Sequence, residues 1–460
     1  MMRRLRKKHS SFGFVPKVTV LLAVIIAGWV SYQLLKPEKI EPQAQTQTEG
    51  QIEQQAKTEK QEQVKPAEKE EQPAAEKNTV KEGMPVKTEQ TETNAPITFS
   101  QPGYDVETKV NRLMEDMTIE EKIGQLMVIG FQSKDIDSHV KKMIEDYKVG
   151  GIILYDRNME TPSQVTRLTN DLQELAAKNP HQVPLMLSID QEGGKIVRMK
   201  KHVSPIPSQQ ELGQKGNLTD IYHTAYRTGK ELAAMGIQVN FAPVLDLSET
   251  DSRSFGADPA KTKVFGQQVV KGLADAGVEA TLKHFPGNGR SNVDPHIETS
   301  SVQANQWDLE NKDIYPFKKI MDEVDHNRFF VMVTHIKYPA YDKENPASIS
   351  PIIIQQLLRQ KLGYKGIVVT DDLEMGAVNK YFTYEDLGYR AVESGADILL
   401  VCHTLENQKK VFNGILKAVQ ANKLSEETID EAVKRILTYK LTSITSVHAD
   451  QAKAQESVGK

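Results

Sequence analysis

A single cysteine, Cys402, occurs in 460 residues. No intramolecular disulfide can form, and no Cys/His cluster with zinc spacing is present. The missing disulfides leave the compartment open, because many exported bacterial-type proteins also lack them. Neither sign of charge dominates: 58 Lys and Arg against 62 Asp and Glu give a net charge of −4. That excludes the strong single-sign field by which a whole surface recruits nucleic acid or an acidic partner. Aromatics are scarce, and none occurs between Tyr32 and Phe99. The sequence has no P-loop, no glycine fingerprint after its first predicted strand, and no Ser or Cys nucleophile motif.

One long apolar run is present. Residues 18–35 follow Arg3, Arg4, Arg6, Lys7, Lys8 and Lys17. As a helix, the run spans about 27 Å, close to the hydrocarbon thickness of about 30 Å. The basic flank, residues 1–17, is expected in the cytoplasm and the rest of the chain outside it. A cleaved signal peptide is the rival reading, with secretion as its result. Its apolar core is usually shorter and ends at a small-residue site. Trp29, Tyr32 and Gln33 suit an interfacial anchor better. A single-pass membrane anchor with an extracytoplasmic catalytic part is therefore expected. No cysteine precedes Cys402, which excludes a lipid-modified N-terminal cysteine. Residues 36–98 are rich in Gln, Glu, Lys, Thr and Pro and cannot bury enough apolar surface to offset ordering entropy. They are expected to form a disordered linker.

Beyond the linker, apolar runs alternate with longer amphipathic segments. Strands are predicted at 126–131, 151–155, 185–190, 239–242, 278–284, 329–334, 366–370 and 398–401. Helices are predicted at 161–178, 221–235, 259–276, 308–323, 351–361, 384–394 and 405–421. This alternation predicts an α/β fold with a parallel sheet. Eight strands close a (β/α)8 barrel, here as a single domain over 99–445 with a disordered tail at 446–460. A doubly wound open sheet is the alternative.

Polar groups end five of the predicted strands. Asp190 ends the third, with Gln191-Glu192-Gly193-Gly194 and Arg198 after it. Asp246 and the run from Asp251 to Gly256, with Arg253, follow the fourth. The fifth delivers Lys283 and His284 into a Pro/Gly-rich loop that continues to Asp294-Pro295-His296. His335 follows the sixth, and Asp371-Asp372 the seventh. Taken singly, each reads equally well as a solvated loop residue. In a parallel barrel all five ends surround one mouth. Carboxylates, cations and imidazoles in one pocket suit hydrogen-bonded recognition of a polyol, with carboxylate chemistry at a sugar carbon.

Three stretches carry a family resemblance: Asp190-Gln191-Glu192-Gly193-Gly194, Lys283-His284-Phe285-Pro286-Gly287-Asn288-Gly289 and Thr370-Asp371-Asp372-Leu373-Glu374-Met375. They resemble glycoside hydrolase family 3, and within it the β-N-acetylglucosaminidase (β-hexosaminidase) branch of bacterial cell-wall recycling, over residues 110–439. The resemblance implies a TIM-like barrel and a retaining mechanism with no metal or other cofactor. It implies Asp371 as nucleophile, His296 as general acid/base and Asp294 as its dyad partner. Asp190, Arg198, Arg253, Lys283 and His284 are implied to bind substrate, and His335 receives no role. Asp372 is set aside because strand alternation points neighbouring side chains to opposite sides. Many family members take an acid/base glutamate from a second domain, whereas only about twenty residues follow Tyr439 here. An imidazole, with its ordinary pKa near 6.5, can exchange protons near neutrality.

The implied substrates are peptidoglycan-derived saccharides with terminal β-linked GlcNAc, attacked by an exo-acting, monomeric enzyme with no nucleic-acid partner. A β-glucosidase, β-xylosidase or phosphorylase of the same family is the alternative, and a catalytically silent sugar-binding wall protein lies outside the enzymes. Two departures from the family pattern stand beside the site. Asn288 replaces a second histidine, and Arg290-Ser291 replaces Asp-Thr.

Overall fold

A computed structural model describes residues 97–291, 300–444 and 446–460. The chain divides into two units, residues 1–90 and 91–460. The predicted anchor at 18–35 and nearly all of the predicted linker lie outside the described residues. Among the described residues, no helix is long and apolar enough to cross a membrane.

Six strands come first: β1 (Met127–Ile129), β2 (Gly151–Leu154), β3 (Met186–Ile189), β4 (Val239–Asn240), β5 (Ala280–Phe285) and β6 (Phe329–Val333). A two-stranded antiparallel hairpin, β7 (Lys337–Tyr338) and β8 (Asp342–Pro346), follows. Then come β9 (Val368–Asp372) and β10 (Ile398–Val401). All but the hairpin join one eight-stranded sheet in the order β4-β3-β2-β1-β10-β9-β6-β5. Every strand pair in it is parallel. Parallel bridges Val239–Glu279 and Val244–Lys283 join the two ends of that order. The sheet is thus a nearly closed barrel with helices between its strands, consistent with a TIM-like barrel. The strands are buried on both faces, which is why they read as continuous apolar runs.

Helices α1 (Val106–Asp116) and α2 (Ile119–Gln125) precede the barrel, the second opened by a Thr118–Glu121 capping box. Helix α3 (Pro162–Ala176) starts with Pro at its first turn and Thr161 as cap. Helix α4 (Leu218–Ala234) follows β3. The predicted helix at 308–323 is broken. A wide turn at Leu309–Asp313 separates it from Tyr315–Glu323. Pro316 offers no N–H and fits only the first turn of a new segment.

The predicted disordered tail is corrected. Residues 446–460 are ordered and contain a helix, Gln451–Ser457, capped by Asp450. Ala454 and Val458 are buried, Asn170 exchanges two hydrogen bonds with Ala449 at 2.9 Å each, and the Gly459 N–H donates to Glu231 at 3.1 Å. Two small apolar anchors and these polar ties dock a tail whose composition alone reads as linker.

Helix α5 (Glu426–Ser443) carries Lys440 into the interior. Its ammonium donates to Gln125 Oε1 at 2.8 Å and the Gly150 carbonyl at 2.7 Å, with no carboxylate partner among the described residues. Burial pushes its pKa down to about 7 from 10.5. Burial also pushes the Glu279 carboxyl up to about 8 from 4.5. Between pH 10.5 and 7 the unfolded chain binds a proton at Lys440 that the fold refuses, so stability falls as pH is lowered through that window. Glu279 contributes full stability below pH 4.5 and loses it as pH rises towards 8. In chemical denaturation, Lys440→Met is expected to flatten the rise in stability above pH 7. An unchanged slope in the variant refutes this account of Lys440.

Candidate active site

The carboxyl ends of the barrel strands place the predicted polar residues around one mouth. Lys283, near the end of β5, is the centre of one cluster. Its Nζ donates to Asp190 Oδ1 at 2.8 Å and pairs with Glu192 Oε1 at 2.6 Å. Glu192 in turn accepts two hydrogen bonds from Arg253, from Nε at 2.7 Å and from the guanidinium NH2 group at 2.8 Å. Arg198 approaches the other Asp190 oxygen at 3.7 Å and reaches Asp156 at 3.4 Å. Burial raises the Glu192 pKa, but Lys283 and Arg253 outweigh it and hold the carboxyl far below the usual range. Burial disfavours the Lys283 charge, and Asp190 and Glu192 more than restore it. Gly193 and Gly194 have φ of 105° and 60°, in the tight turn that follows Glu192 and is closed by the Glu192 N–H donating to the Ile196 carbonyl at 3.0 Å.

A second cluster fixes the loop after β5. Asp246 accepts from the His284 backbone N–H at 3.2 Å, the Asn288 N–H at 2.7 Å and His284 Nδ1 at 2.7 Å. A carboxylate can only accept, so Nδ1 carries the proton and Nε2 faces away from Asp246. Tyr338, in hairpin β7–β8, donates its hydroxyl to the Gly287 carbonyl at 2.8 Å. Gly289 is obligatory, because a Cβ there would stand 1.9 Å from the Leu247 carbonyl oxygen. At the two departures, the Asn288 backbone serves Asp246, while its side-chain oxygen is buried with no partner among the described residues. Arg290 pairs with buried Asp313 at 2.7 Å. Ser291 and Ser300, on either side of residues 292–299, bring their hydroxyls to 2.6 Å. Asp294 and His296 lie outside the described residues.

The third cluster is Asp371 and Asp372 at the end of β9. Asp371 is half-buried, and its Oδ1 accepts the Asp372 N–H at 2.9 Å. Burial pushes the Asp371 pKa up, but His284, that N–H and Lys283 pull it below the ordinary carboxylate value. It is therefore ionised at neutral pH. Asp372 faces other neighbours. It accepts from the Glu374 and Cys402 N–H groups at 3.1 Å each and pairs with His403 Nε2 at 3.1 Å. Its bonded oxygens leave it a poor attacking group, and its hydrogen bond raises the His403 pKa.

His335, left without a role by the sequence, is fully buried. Its Nε2 lies 2.9 Å from the Asp372 carbonyl, which can only accept, so this nitrogen carries the proton. Its Nδ1 lies 2.7 Å from the Ser348 hydroxyl. Burial depresses its pKa, so the ring is a neutral tether on the peptide that follows Asp372. Tyr155 also lines the mouth, with Arg157 4.3 Å and Arg198 5.1 Å from its ring centre and the His403 ring tilted by 33° at 5.6 Å. Sequence reasoning missed Glu192, Tyr155 and His403 as members of the site. Glu192 stands inside a quoted motif, but only the fold shows that it bridges two cations from later strands.

The Glycosyl hydrolase family 3 N terminal domain model matches residues 118–439. The chain belongs to this family. A beta-hexosaminidase A from Pseudoalteromonas piscicida is 32% identical over 354 residues, 70% of this chain and 58% of that protein. A beta-hexosaminidase from Hydrogenovibrio crunogenus is 32% identical over 301 residues, 62% of this chain and 82% of its own length. Among solved structures, a glycoside hydrolase family 3 beta-N-acetylglucosaminidase from a Paenibacillus species is similar with a TM-score of 0.69. It is 37% identical, and the match covers 72% of this chain and 64% of that one.

Proposed function

We propose that this protein is a retaining, exo-acting β-N-acetylglucosaminidase. It removes terminal β-linked GlcNAc from peptidoglycan-derived fragments outside the cytoplasmic membrane, held there as a monomer by residues 18–35. The observation that carries the reading is the Asp371 carboxylate at the barrel mouth, kept ionised against burial by His284, Lys283 and the Asp372 N–H. The beta-hexosaminidase names of the relatives support the sugar class.

In this reading Asp371 attacks the anomeric carbon from the face opposite the leaving group. The glycosidic C–O bond breaks and its oxygen takes a proton from His296. The product is a covalent glycosyl-aspartate. Water then attacks the same carbon, His296 takes its proton, and the sugar leaves with its β configuration retained. Asp294 orients the His296 ring and fixes its tautomer. Asp190, Arg198, Arg253, Lys283 and His284 hold the sugar hydroxyls.

The test is turnover of chromogenic β-GlcNAc compared with the matching β-glucoside and β-xyloside, with and without phosphate. Preference for β-GlcNAc, independent of phosphate, is expected. Dominant glucoside or xyloside turnover, phosphorolysis, or no turnover would each replace the proposal with a different reading. Removing residues 1–95 is expected to leave kcat on this soluble substrate unchanged, because every site residue named above lies later in the chain. A folded but inactive truncation would show that the N-terminal segment takes part in the chemistry.

A further inference from the structure

We infer that Glu192 is the positioning residue of the sugar site, setting which N–H groups of Lys283 and Arg253 remain for substrate. This rests on the reading that these two cations meet sugar hydroxyls. The Glu192 side chain is only 2% exposed, so it lies beneath the site and touches no substrate. One of its oxygens lies 2.6 Å from Lys283 Nζ and 2.8 Å from the Arg253 NH2 group, and the other accepts Arg253 Nε at 2.7 Å. One carboxylate thus locks cations from two different strand ends into a single rigid unit.

The donors can be counted. An ammonium has three N–H groups, and among the described residues Asp190 and Glu192 take two of Lys283's, leaving one. A guanidinium has five, and among the described residues Glu192 takes two of Arg253's, leaving three. Without Glu192, Lys283 would keep only its bond to Asp190 and the Arg253 guanidinium would lose both of its anchoring bonds, so their donors would no longer point at a fixed set of hydroxyls. Stability alone is a weak explanation for the cluster, since well-packed apolar residues often replace buried ion pairs without loss. Its place at the mouth of the barrel points to geometry instead.

The test crosses an enzyme change with a substrate change. Glu192→Gln keeps the shape but turns an amide N–H towards cations that need an acceptor, and kcat/KM on chromogenic β-GlcNAc is expected to fall about 10²-fold. Glu192→Asp keeps the charge but is too short to span both cations. Each variant is compared with wild type on β-GlcNAc glycosides lacking one ring hydroxyl at a time. Wild type is expected to lose about 10²-fold for the hydroxyls held by Lys283 or Arg253. In both variants that loss is expected to shrink at least about tenfold, because the donors are already misplaced. Binding of GlcNAc and its deoxy analogues, measured by calorimetry, gives the same comparison without turnover. Should Glu192→Gln fail to fold, Glu192→Asp decides. Deoxygenation losses equal to wild type's, whatever the absolute rates, overturn the inference and leave the proposed function intact. A wild-type protein that neither turns over nor binds GlcNAc overturns both.

Discussion

Asp371→Ala is expected to lower kcat on a β-GlcNAc glycoside by about 10⁴-fold or more, the scale on which loss of a covalent nucleophile registers. Its thermal unfolding should stay close to that of wild type, because the residue is half-buried and its side chain's one hydrogen bond among the described residues is from the next backbone N–H. The size of the loss separates two chemistries that both retain configuration. If the substrate's own 2-acetamido group attacked, a neighbouring carboxylate would only steer it, and a substantial rate would survive. Asp371 and Asp372 resemble the carboxylate pair that such a route needs, but Asp372 is committed to two backbone N–H groups and His403. A slow-releasing fluoro-sugar, followed by digestion and mass spectrometry, is expected to label Asp371. Label on any other residue, or none despite competent turnover, removes Asp371 from the role.

The second large effect is expected at His296 and Asp294. Removing the imidazole withdraws proton donation to the leaving oxygen, which typically contributes about 10²- to 10⁴-fold. The loss should be greatest for alkyl and sugar leaving groups and should shrink towards nothing for dinitrophenolate, which departs without a proton. Asp294→Ala should reproduce much of the His296→Ala loss. The double variant should be scarcely worse than His296→Ala, because two residues acting as one unit give strongly non-additive losses. Fully multiplicative losses would show that the two residues act separately.

What could be read in the sequence follows from which physical signals are local. A barrel strand buried on both faces is a run of apolar residues, so all eight were visible before any contact was known. Strand-end polar residues such as Asp190, Lys283 and Asp371 were also legible, because the barrel converts sequence position into a shared mouth. Roles that depend on a distant partner were not. His335 gains its meaning only from Ser348 and the Asp372 carbonyl. Glu192 gains its meaning from Arg253 and Lys283, 61 and 91 positions further along the chain. The C-terminal segment misled for the same reason: its polar composition reads as linker, and only docking of Ala454 and Val458 makes it structure.

The hairpin β7–β8 supplies no reacting group, yet it touches both halves of the machinery. Its Tyr338 holds the Gly287 carbonyl in the loop after β5, and Ser348, just beyond it, holds the ring that tethers the peptide after Asp372. It works as a gauge block, setting the distance between the loop after β5 and the end of β9. In a glycosidase, the spacing of its two reacting groups selects the stereochemical course. A length change in this hairpin is therefore expected to shift the loop after β5 against Asp371, and so to alter the treatment of the anomeric carbon with no residue of the chemistry replaced.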